Sequence, residues 1–541
     1  MLALEFDRFG IDSVVLEPRT TVHDNRPRAK TTNARTMTLL RRLGLADRLR
    51  AAAPLPTSYS EDVAFCTSLV GHELRRFRHA FQLHADRWEL QPEAGQQVAQ
   101  PVVEEVLRTA VRGARRAGLF TGISLRDLRN VDGDDNTRAV ARVEDESGAV
   151  REIPCGYLVG ADGGASAVRR SLGIRLEGGS AARPNLNAVF RSPDLAGKVA
   201  LEPAVQYWVV GQQAQGMIGR MDLDDTWWTI LQGVDVAPER TPELVRALVG
   251  ADISLDVIET DAWTARMLLA PSYQRGGVFL VGDAAHLNPP WGGHGFNTCI
   301  GDAVNLAWKL AAVESGWGTR RLLDTYQEER RPVAERTIRD AATNGKALAY
   351  DFIDPRLDDD GREGEDARAR AHVSLGVKES EFLSLGLVLG YHYAGSSLIT
   401  PDGTRPPAED PVHYAPSAAP GCLLPHAWLA DGRSLYDLLG GGFTLLLDGG
   451  DSRSAEGWDE VAARAEAAGI PLAVRTVGDF DAADAGELWG APGVLVRPDQ
   501  HVAWRGNAPS AALEALRRAV GLPGAGQSGS DQPAPVGSLT I

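Results

Sequence analysis

Residues 276–312 read GGVFLVGDAAHLNPPWGGHGFNTCIGDAVNLAWKLAA, and this stretch decides the fold. The apolar run Val278–Val281 is bounded by glycines and is typical of a buried strand in a parallel sheet. Asp283 follows it at the carboxyl edge, where ligands of open α/β sheets bind. A turn rich in Gly and Pro over 288–295 leads into an amphipathic helix over about 298–314. This arrangement suits a ligand with hydroxyls at one end and developing negative charge at the other.

A second stretch of the same kind lies about 120 residues earlier. Residues 157–170, YLVGADGGASAVRR, combine a buried strand, the pair Asp162-Gly163 and a helix capped by Ser166. An Asp-Gly pair alone is only a common turn signal. In this order and at this separation, the two stretches resemble the motifs of the FAD-dependent aromatic hydroxylases, the single-component flavoprotein monooxygenases related to p-hydroxybenzoate hydroxylase. A reduced flavin fits the ligand described above.

The resemblance implies a set of FAD-binding residues. Asp283 would bind the ribitol, and Asp162 with Gly163 would touch FAD and help NAD(P)H to dock. Arg35 matches the family arginine that reaches the FAD diphosphate, and Gln100 matches a residue that contacts FAD at the start of a helix. By their own chemistry, these two could equally be an arginine on a solvated helix face and a capping amide. The loop beside the isoalloxazine would consist of Pro290, Gly293, His294, Gly295, Phe296 and Asn297.

The N-terminal segment predicts part of a dinucleotide fold. Residues 12–18, DSVVLEP, read as a buried strand ending in Glu17, the acid that hydrogen-bonds the adenosine ribose in such folds. The first strand and the GxGxxG turn that should come before it are absent from the sequence. We favour a start codon assigned too late, because the downstream sequence is well formed. A real truncation that binds FAD poorly or not at all is the alternative.

The middle of the chain predicts an antiparallel sheet laid over the flavin. Residues 176–270 contain several strand-like runs and little helical periodicity. An aromatic-rich wall would suit a planar, polycyclic substrate, although each candidate could equally be plain sheet core. The candidates for the substrate pocket are Tyr207, Trp208, Met217, Trp228, Pro289 and Trp291.

The predicted fold class is α/β, with three domains. A Rossmann-like FAD-binding domain of the glutathione-reductase type is assigned to 1–75, 98–175 and 271–345, and an antiparallel β-sheet substrate domain to 76–97 and 176–270. A connecting segment (346–420), a thioredoxin-like domain (421–522) and a disordered tail (523–541) follow. The ending VLVRPDQHVAWRG resembles the thioredoxin-like domain appended to many of these hydroxylases. It has no CxxC pair, so we expect a packing or dimer role instead of thiol chemistry.

Composition excludes several other classes. A net charge of −16 argues against a nucleic-acid partner. The four cysteines form no CxxC pair, which fits a reducing cytosol, and we predict neither a disulfide framework nor a metal site. No apolar run approaches the ~20 residues that span a bilayer. The N-terminus lacks the pattern of a signal peptide, so we expect a cytoplasmic protein with no membrane partner.

The resemblance also implies a reaction. NAD(P)H would reduce FAD, O2 would form a flavin C4a-hydroperoxide, and one oxygen would pass to an activated aromatic ring. The similarity is greatest to the bacterial branch with a thioredoxin-like tail, which includes polyketide hydroxylases and chlorophenol monooxygenases, and it favours a polycyclic phenol as substrate. Because the cofactor carries the chemistry, we expect no catalytic triad. His294 is a candidate for proton handling, or a loop residue whose backbone matters.

Alternatives to this reaction stay open at this level. The same scaffold could perform a Baeyer–Villiger oxygenation of a polyketide. From a different class, the chain could be a flavin-free binding or partner protein, in line with the absent phosphate-binding turn. The choice between NADPH and NADH is also open, because there is no second dinucleotide fold to inspect. A homodimer is compatible with the resemblance.

Overall fold

The computed structural model describes residues 1–23, 29–84, 86–131, 139–234, 237–448, 457–477 and 488–522. The tail predicted to be disordered, 523–541, lies outside this part of the chain. Within the described residues, no helix is both long and apolar enough to cross a membrane.

The first part of the chain supplies most of the predicted FAD-binding domain. Its elements are α1 (Leu2–Phe9), β1 (Ser13–Glu17), β2 (Thr31–Thr32), α2 (Ala34–Arg42), α3 (Ala46–Ala52), β3 (Val63–Cys66), β4 (Glu73–Phe77), β5 (Gln96–Gln97), α4 (Gln100–Arg112), β6 (Ala117–Thr121), β7 (Ile123–Arg129), β8 (Ala139–Asp145), β9 (Val150–Cys155), β10 (Leu158–Gly160) and α5 (Ala167–Ser171). Strands β7, β8 and β9 form a separate antiparallel sheet.

The remaining elements build the large sheet, the long helices and the C-terminal domain. They are β11 (Glu177–Ser180), β12 (Asn185–Arg191), β13 (Gln206–Val210), β14 (Gln215–Arg220), β15 (Thr226–Gln232), α6 (Thr241–Val249), β16 (Asp256–Trp263), β17 (Arg266–Leu269), β18 (Gln274–Arg275), β19 (Val278–Leu280), β20 (His286–Leu287), α7 (His294–Glu314), α8 (Arg321–Asn344), α9 (Arg362–Ser374), α10 (Glu379–Phe382), α11 (Leu385–Leu389), β21 (Phe443–Leu447), α12 (Trp458–Ala467), β22 (Leu472–Thr476), β23 (Gly493–Val496), β24 (Val502–Gly506) and α13 (Pro509–Ala519).

Two parallel strand pairs form the centre of the predicted FAD-binding domain. Strand β1 pairs with β6, and β10 pairs with β19 in the register Gly160↔Leu280. Helix α1 connects the two pairs through its apolar side chains: Leu4 packs with the residues of β1 and β6, and Phe6 packs with those of β19. The strand predicted from Val278–Val281 is therefore present. Its three apolar residues, Val278–Leu280, are all buried, as expected for a strand inside a parallel sheet.

The large sheet has seven strands in the order β16-β12-β15-β14-β13-β3-β4. Strand β13 is parallel to β3, with Gln206 opposite Val63, and β3 is antiparallel to β4. The sheet therefore takes in residues 63–77, and the predicted boundary after residue 75 cuts through β4. Local sequence does not reveal this, because the parallel pairing joins segments far apart in the chain.

The predicted connecting segment also belongs to the packed core. Leu348, Leu357 and Phe382, from 346–420, lie in the same buried cluster as the residues of one sheet face. Phe382 contacts the aromatic rings of Phe65 and Trp208, with ring centroids 5.9 and 6.0 Å apart. The segment thus covers the sheet in addition to linking the domains.

The C-terminal domain is a four-stranded sheet in the order β22-β21-β23-β24, with α12 and α13 packed on it. Its apolar core is continuous with Trp308 and Ala312 of α7. Arg497 adds a buried bidentate ion pair with Glu329 of α8, with N–O distances of 2.6 and 2.7 Å. The C-terminal domain is therefore fixed to α7 and α8, in line with the packing role expected of it.

Candidate active site

The two acidic motifs lie side by side at one edge of the sheet. Strands β10 and β19 run parallel and in register, and Asp162 and Asp283 follow their carboxyl ends by two and three residues. This edge is where open α/β sheets bind ligands. The tertiary structure therefore brings together two motifs that lie far apart in the sequence.

The turn at Gly282-Asp283 requires a glycine. Gly282 has a φ of +60°, and a Cβ at this position would lie 2.9 Å from the side chain of Cys299. Its N–H donates to a carboxylate oxygen of Asp302 at 3.1 Å. The next carboxylate, that of Asp283, is exposed and accepts a 3.6 Å contact from the Cys299 thiol. Asp283 is thus held at its backbone while its carboxylate stays accessible to a ligand.

Asp302 holds this turn in place by accepting the hydrogen bond from Gly282 N–H, and sequence reasoning missed this residue. It is fully buried on α7 and accepts hydrogen bonds from His286 Nε2 at 2.7 Å and Arg330 Nε at 2.8 Å. Burial by itself raises the pKa of the Asp302 carboxyl, but the charges and hydrogen bonds of His286 and Arg330 outweigh it and hold the pKa below its usual range. A signal did exist: Asp302 is a charged residue on the apolar face of a predicted helix.

Arg169 connects the two turns that follow β10 and β19, called here the first corner (Asp162-Gly163) and the second corner (Gly282-Asp283). Sequence reasoning also missed this arginine. Its guanidinium donates to the carbonyl of Gly164, beside the first motif, at 2.8 Å and to the carbonyl of Ala284, beside the second, at 2.9 Å. Its own position on α5 is set by Ser166, which caps the helix by accepting from Arg169 N–H at 2.9 Å. The cap predicted at Ser166 is therefore confirmed.

The loop before α7 is held by an asparagine. Asn297 donates to the carbonyls of Gly293 at 2.8 Å and Thr31 at 3.1 Å, and its side-chain oxygen accepts from Asn33 N–H at 3.0 Å. Gly292 and Gly293 have φ values of +81° and +67°, which let the chain turn sharply into the helix. The predicted loop residues thus form one bonded unit with the segment 31–33.

Helix α7 starts at His294, earlier than predicted, and no side chain caps its first turn. Its first N–H groups are therefore available to a ligand with negative charge. The His294 ring lies beneath Gly292, buried, and its Nε2 has no hydrogen-bond partner. Burial lowers the pKa of His294 to about 4. The imidazole is therefore neutral at neutral pH, with one ring nitrogen carrying a hydrogen and the other able to accept a hydrogen bond.

The residues predicted at the nucleotide end lie in two places. Glu17 forms ion pairs with Arg19 at 3.0 Å and Arg108 at 3.3 Å, at the end of β1. Gln100 is the first residue of α4, where its N–H donates to the carbonyl of Ala29 at 2.8 Å. Both stay accessible enough to contact a nucleotide, since neither is fully buried.

Arg35 has partners within the protein that the sequence did not predict. Its buried guanidinium donates to the carbonyl of Asp499 at 2.8 Å and makes a short hydrogen bond to the Gln500 side chain, both in the C-terminal domain. Helix α2 begins against the turn between β23 and β24, whose oxygen atoms offer the guanidinium acceptors that sequence cannot reveal. The contact with the FAD diphosphate that the family resemblance implies stays a prediction.

Most of the predicted pocket residues share one face of the large sheet. Trp208, Met217, Trp228 and Trp291 lie in one buried cluster. The ring of Trp208 stacks on Phe65 at a centroid distance of 5.1 Å. Pro289, two residues before Trp291 in the sequence, is also buried, whereas Pro290 is exposed.

Tyr207 is the exception among the predicted pocket residues. It lies in the cluster on the opposite face of the sheet, and its hydroxyl donates to the carbonyl of Glu202 at 3.1 Å. Neighbouring residues of a strand point to opposite faces, so Tyr207 and Trp208 cannot both line one pocket. The strand period alone excludes one of the two, and the structure shows that it is Tyr207 that lies on the other face.

The residues present fit a flavin nucleotide. The Asp283 carboxylate suits a polyol hydroxyl, and the uncapped start of α7 suits an anionic ring edge. Gly163 has a φ of +75°, and a Cβ added there would meet no heavy atom within 4 Å, so open space adjoins the strand ends. Open α/β sheets bind ligands at such a strand edge, and an apolar face rich in aromatic side chains is typical of small-molecule sites.

Comparison with known proteins defines the family. The family described as "FAD binding domain" matches residues 1–341, and that described as "Aromatic-ring hydroxylase, C-terminal" matches residues 417–523. The chain therefore belongs to the FAD-dependent aromatic-ring hydroxylases, and it is a flavoprotein monooxygenase. The predicted fold class, enzyme class and FAD cofactor are confirmed, and the flavin-free alternative is not supported.

Individual relatives span nearly the whole chain. The 2,4-dichlorophenol 6-monooxygenase of Delftia acidovorans is 32% identical over 551 residues, covering 92% of this chain and 91% of that protein. RebC with bound 7-carboxy-K252c has a TM-score of 0.85 at 32% identity, covering 96% and 97% of the two chains. Aklavinone-11 hydroxylase, solved with FAD and aklavinone, has a TM-score of 0.81 at 28% identity and covers 96% of each chain. These names do not favour Baeyer–Villiger oxygenation over hydroxylation.

Proposed function

We propose that this monooxygenase hydroxylates a polycyclic phenol, such as an aromatic polyketide, using NADPH or NADH and O2. The observation that carries this proposal is the aromatic sheet face of Trp208 and Trp228, next to the loop that ends at the start of α7. Flat rings suit a flat, extended substrate. A relative with a similar fold was solved with aklavinone and FAD, which supports a substrate of this size.

Each part of the site has a distinct task in this proposal. When bound, FAD supplies the redox chemistry with O2. Asp283 holds a ribityl hydroxyl, and the first N–H groups of α7 stabilise negative charge on the ring edge. Asn297 keeps the loop in place through Thr31 and Gly293. The buried aromatic face excludes water from the reacting ring.

Lys30 gives the pocket a positive charge. Its ammonium lies 4.2 Å from the centroid of the Trp228 ring. Burial lowers the pKa of Lys30 to about 8, so the group is still mostly charged at neutral pH. We assign it the task of holding the phenolate oxygen of the substrate, because the anion activates its ring toward electrophilic oxygen. Lys30→Met should raise KM for the phenol about tenfold or more, since hydrogen bonds to charged groups contribute ~1.5–3 kcal/mol. Lys346→Met, an exposed lysine on the surface, is the control and should leave KM unchanged.

The function is tested with FAD-loaded full-length protein, NADPH or NADH, and two substrates, aklavinone and 2,4-dichlorophenol. We expect NAD(P)H consumption coupled to a product one oxygen heavier, and higher kcat/KM for the polycyclic phenol. Hydroxylation and lactone formation add the same mass, so the product is then treated with alkali. A lactone gains one water on hydrolysis, whereas a hydroxylated ring does not. Uncoupled oxidation with both substrates would overturn the proposed substrate class.

Two further properties belong to the same proposal. We propose a cytoplasmic location, which the four free cysteines support because thiols persist in reducing compartments. A homodimer is proposed from the family resemblance alone, and light scattering of the purified protein would measure its mass directly.

A further inference from the structure

Three metal-binding side chains converge at the edge of the large sheet, away from the strand-end motifs. The ligand atoms of Glu61, His79 and His84 all lie within 4.8 Å of one another. His79 Nδ1 is 2.5 Å from Glu61 Oε2. The imidazole rings of His79 and His84 are stacked, with centroids 4.7 Å apart and planes 6° from parallel. Sequence reasoning missed this group, because 18 residues separate Glu61 from His79.

From this juxtaposition we propose that Glu61, His79 and His84 form a binding site for Zn²⁺. Two imidazole nitrogens and one carboxylate oxygen are a ligand set that zinc uses when a fourth position is left to water. The proposal revises our expectation from the sequence that the chain has no metal site. It is independent of the monooxygenase reaction.

His84 supports a ligand role most directly. Its Nδ1 is buried and has no hydrogen-bond partner. Its ring is confined between His79 and Trp88, whose centroid is 5.9 Å away. A buried nitrogen without a partner costs about 1–3 kcal/mol. A metal ion would satisfy it.

The required movement falls on the most exposed ligand, His79. Tetrahedral zinc with bonds near 2.1 Å holds its donors about 3.3 Å apart. The side chain of His79 is 59% exposed, so its ring can rotate to close the 4.8 Å spacing. The 2.5 Å contact with Glu61 would then open slightly as the metal replaces the shared proton.

The backbone between the ligands is already in an unusual conformation. His79, Phe81 and Gln82 have φ values of +53°, +57° and +59°, which side chains other than glycine rarely adopt. The turn directs Phe81 into the aromatic cluster while His79 faces solvent. Ala80 N–H also donates to the Glu61 carbonyl at 2.8 Å. A bound ion would clamp this turn to the segment before β3 and so stabilise one wall of the aromatic cluster.

The test uses tag-free, FAD-loaded protein that has been stripped of metal with a chelator and is titrated with ZnCl2 by calorimetry. We expect one equivalent of Zn²⁺ to bind and the Tm to rise. His79→Asn should lower the affinity at least tenfold, because even indirect partners of a metal ligand contribute 10–100-fold. Asparagine tolerates positive φ, so the turn is kept. His84→Ala should have a similar effect.

His413→Asn is the matched control. His413 is an exposed imidazole that also pairs with a carboxylate, Asp410, at 3.1 Å, so its loss should leave Zn²⁺ binding unchanged. The flavin absorption spectrum and near-UV circular dichroism of each variant establish that it is folded. The proposal is overturned if wild-type protein binds no Zn²⁺, or if His79→Asn and His84→Ala bind it as tightly as wild type does.

Discussion

The two acidic corners of the sheet are alike in position and different in use. Asp162-Gly163 and Gly282-Asp283 follow adjacent parallel strands at the same edge. The Asp162 carboxylate is occupied within its own motif: it accepts a short hydrogen bond from the Ser166 hydroxyl and a 3.0 Å bond from Val168 N–H. The Asp283 carboxylate is exposed and contacts only a thiol among the hydrogen bonds that the described residues make to it.

This difference predicts that the first corner mainly supports the structure and that the second mainly contacts a ligand. At the first corner the acid is part of a helix cap, and the helix carries Arg169, which bonds to the second corner. At the second corner the structure is held by a buried acid, Asp302, and the carboxylate of Asp283 stays exposed. We infer that one motif mainly supports the structure and that the other mainly contacts a ligand. Mutations at the two motifs should therefore have different effects on stability and on FAD affinity.

The largest effect is expected when the support of the second corner is removed. Asp302→Ala leaves Arg330 and His286 buried without their carboxylate and Gly282 N–H without its acceptor. Breaking such a buried pair costs ~3–5 kcal/mol of the free energy of unfolding. Chemical denaturation would measure this, and FAD should also be lost on gel filtration. Asp324→Ala, an exposed acid of α8, should stay close to wild type. An Asp302→Ala protein with the stability of wild type would contradict the inference that Asp302 supports the second corner.

A smaller effect, on affinity alone, is expected at the surface acid. Asp283→Ala should weaken FAD binding by about 10–100-fold, because a hydrogen bond to a charged group contributes ~1.5–3 kcal/mol. The stability of the FAD-free protein should not change, since the carboxylate is exposed. Titration followed by flavin fluorescence measures the affinity. Asp252→Ala, 97% exposed and paired with Arg246, serves as the control. Equal FAD affinity in both variants would remove Asp283 from the cofactor site.

pH sharpens the comparison through His294, which begins the helix that supports the second corner. Its folded-state pKa of about 4 lies below the ordinary value of 6.5. Between these two pH values the unfolded chain therefore binds a proton at His294 that the folded chain does not bind. The free energy of unfolding that depends on neutral His294 is therefore fully present above pH 6.5, and it is lost as the pH falls toward 4. Between pH 7 and pH 5 the wild type should lose about 1–2 kcal/mol more than His294→Gln does. Denaturant titrations at the two pH values would measure this difference, and parallel losses would contradict it.

The smallest effect is expected at the cap of the first corner. Ser166→Ala removes the acceptor of Arg169 N–H and a donor to Asp162, which should cost ~0.5–2 kcal/mol of stability. FAD affinity should fall far less than in Asp283→Ala. Thermal and chemical unfolding measure the first quantity and fluorescence titration the second. Ser397→Ala, an exposed hydroxyl bonded to Glu328 at 3.2 Å, is the control. A larger loss of affinity at Ser166 than at Asp283 would reverse the assigned roles.

Local sequence was enough for the features that depend on neighbouring residues. The strand at Val278–Leu280, the glycine turn before Asp283, the cap at Ser166 and the aromatic strand of Trp208 all follow from short patterns. The apolar run must be buried, the turn needs positive φ, and the cap offers an acceptor to a free N–H. The family resemblance then supplied the flavin, which no pattern of this length identifies by itself.

Tertiary structure alone decided which polar groups meet. Arg35 bonds to Asp499, and Asp302 joins His286 to Arg330, because folding buries these groups and a buried charge must find a partner. Those partners come from segments distant in sequence, and residue type does not specify them. The sequence by itself therefore determined the strand ends, the turns and the class of enzyme. Only the packed fold decided that Asp302 would be buried beneath the turn and that Asp283 would stay exposed.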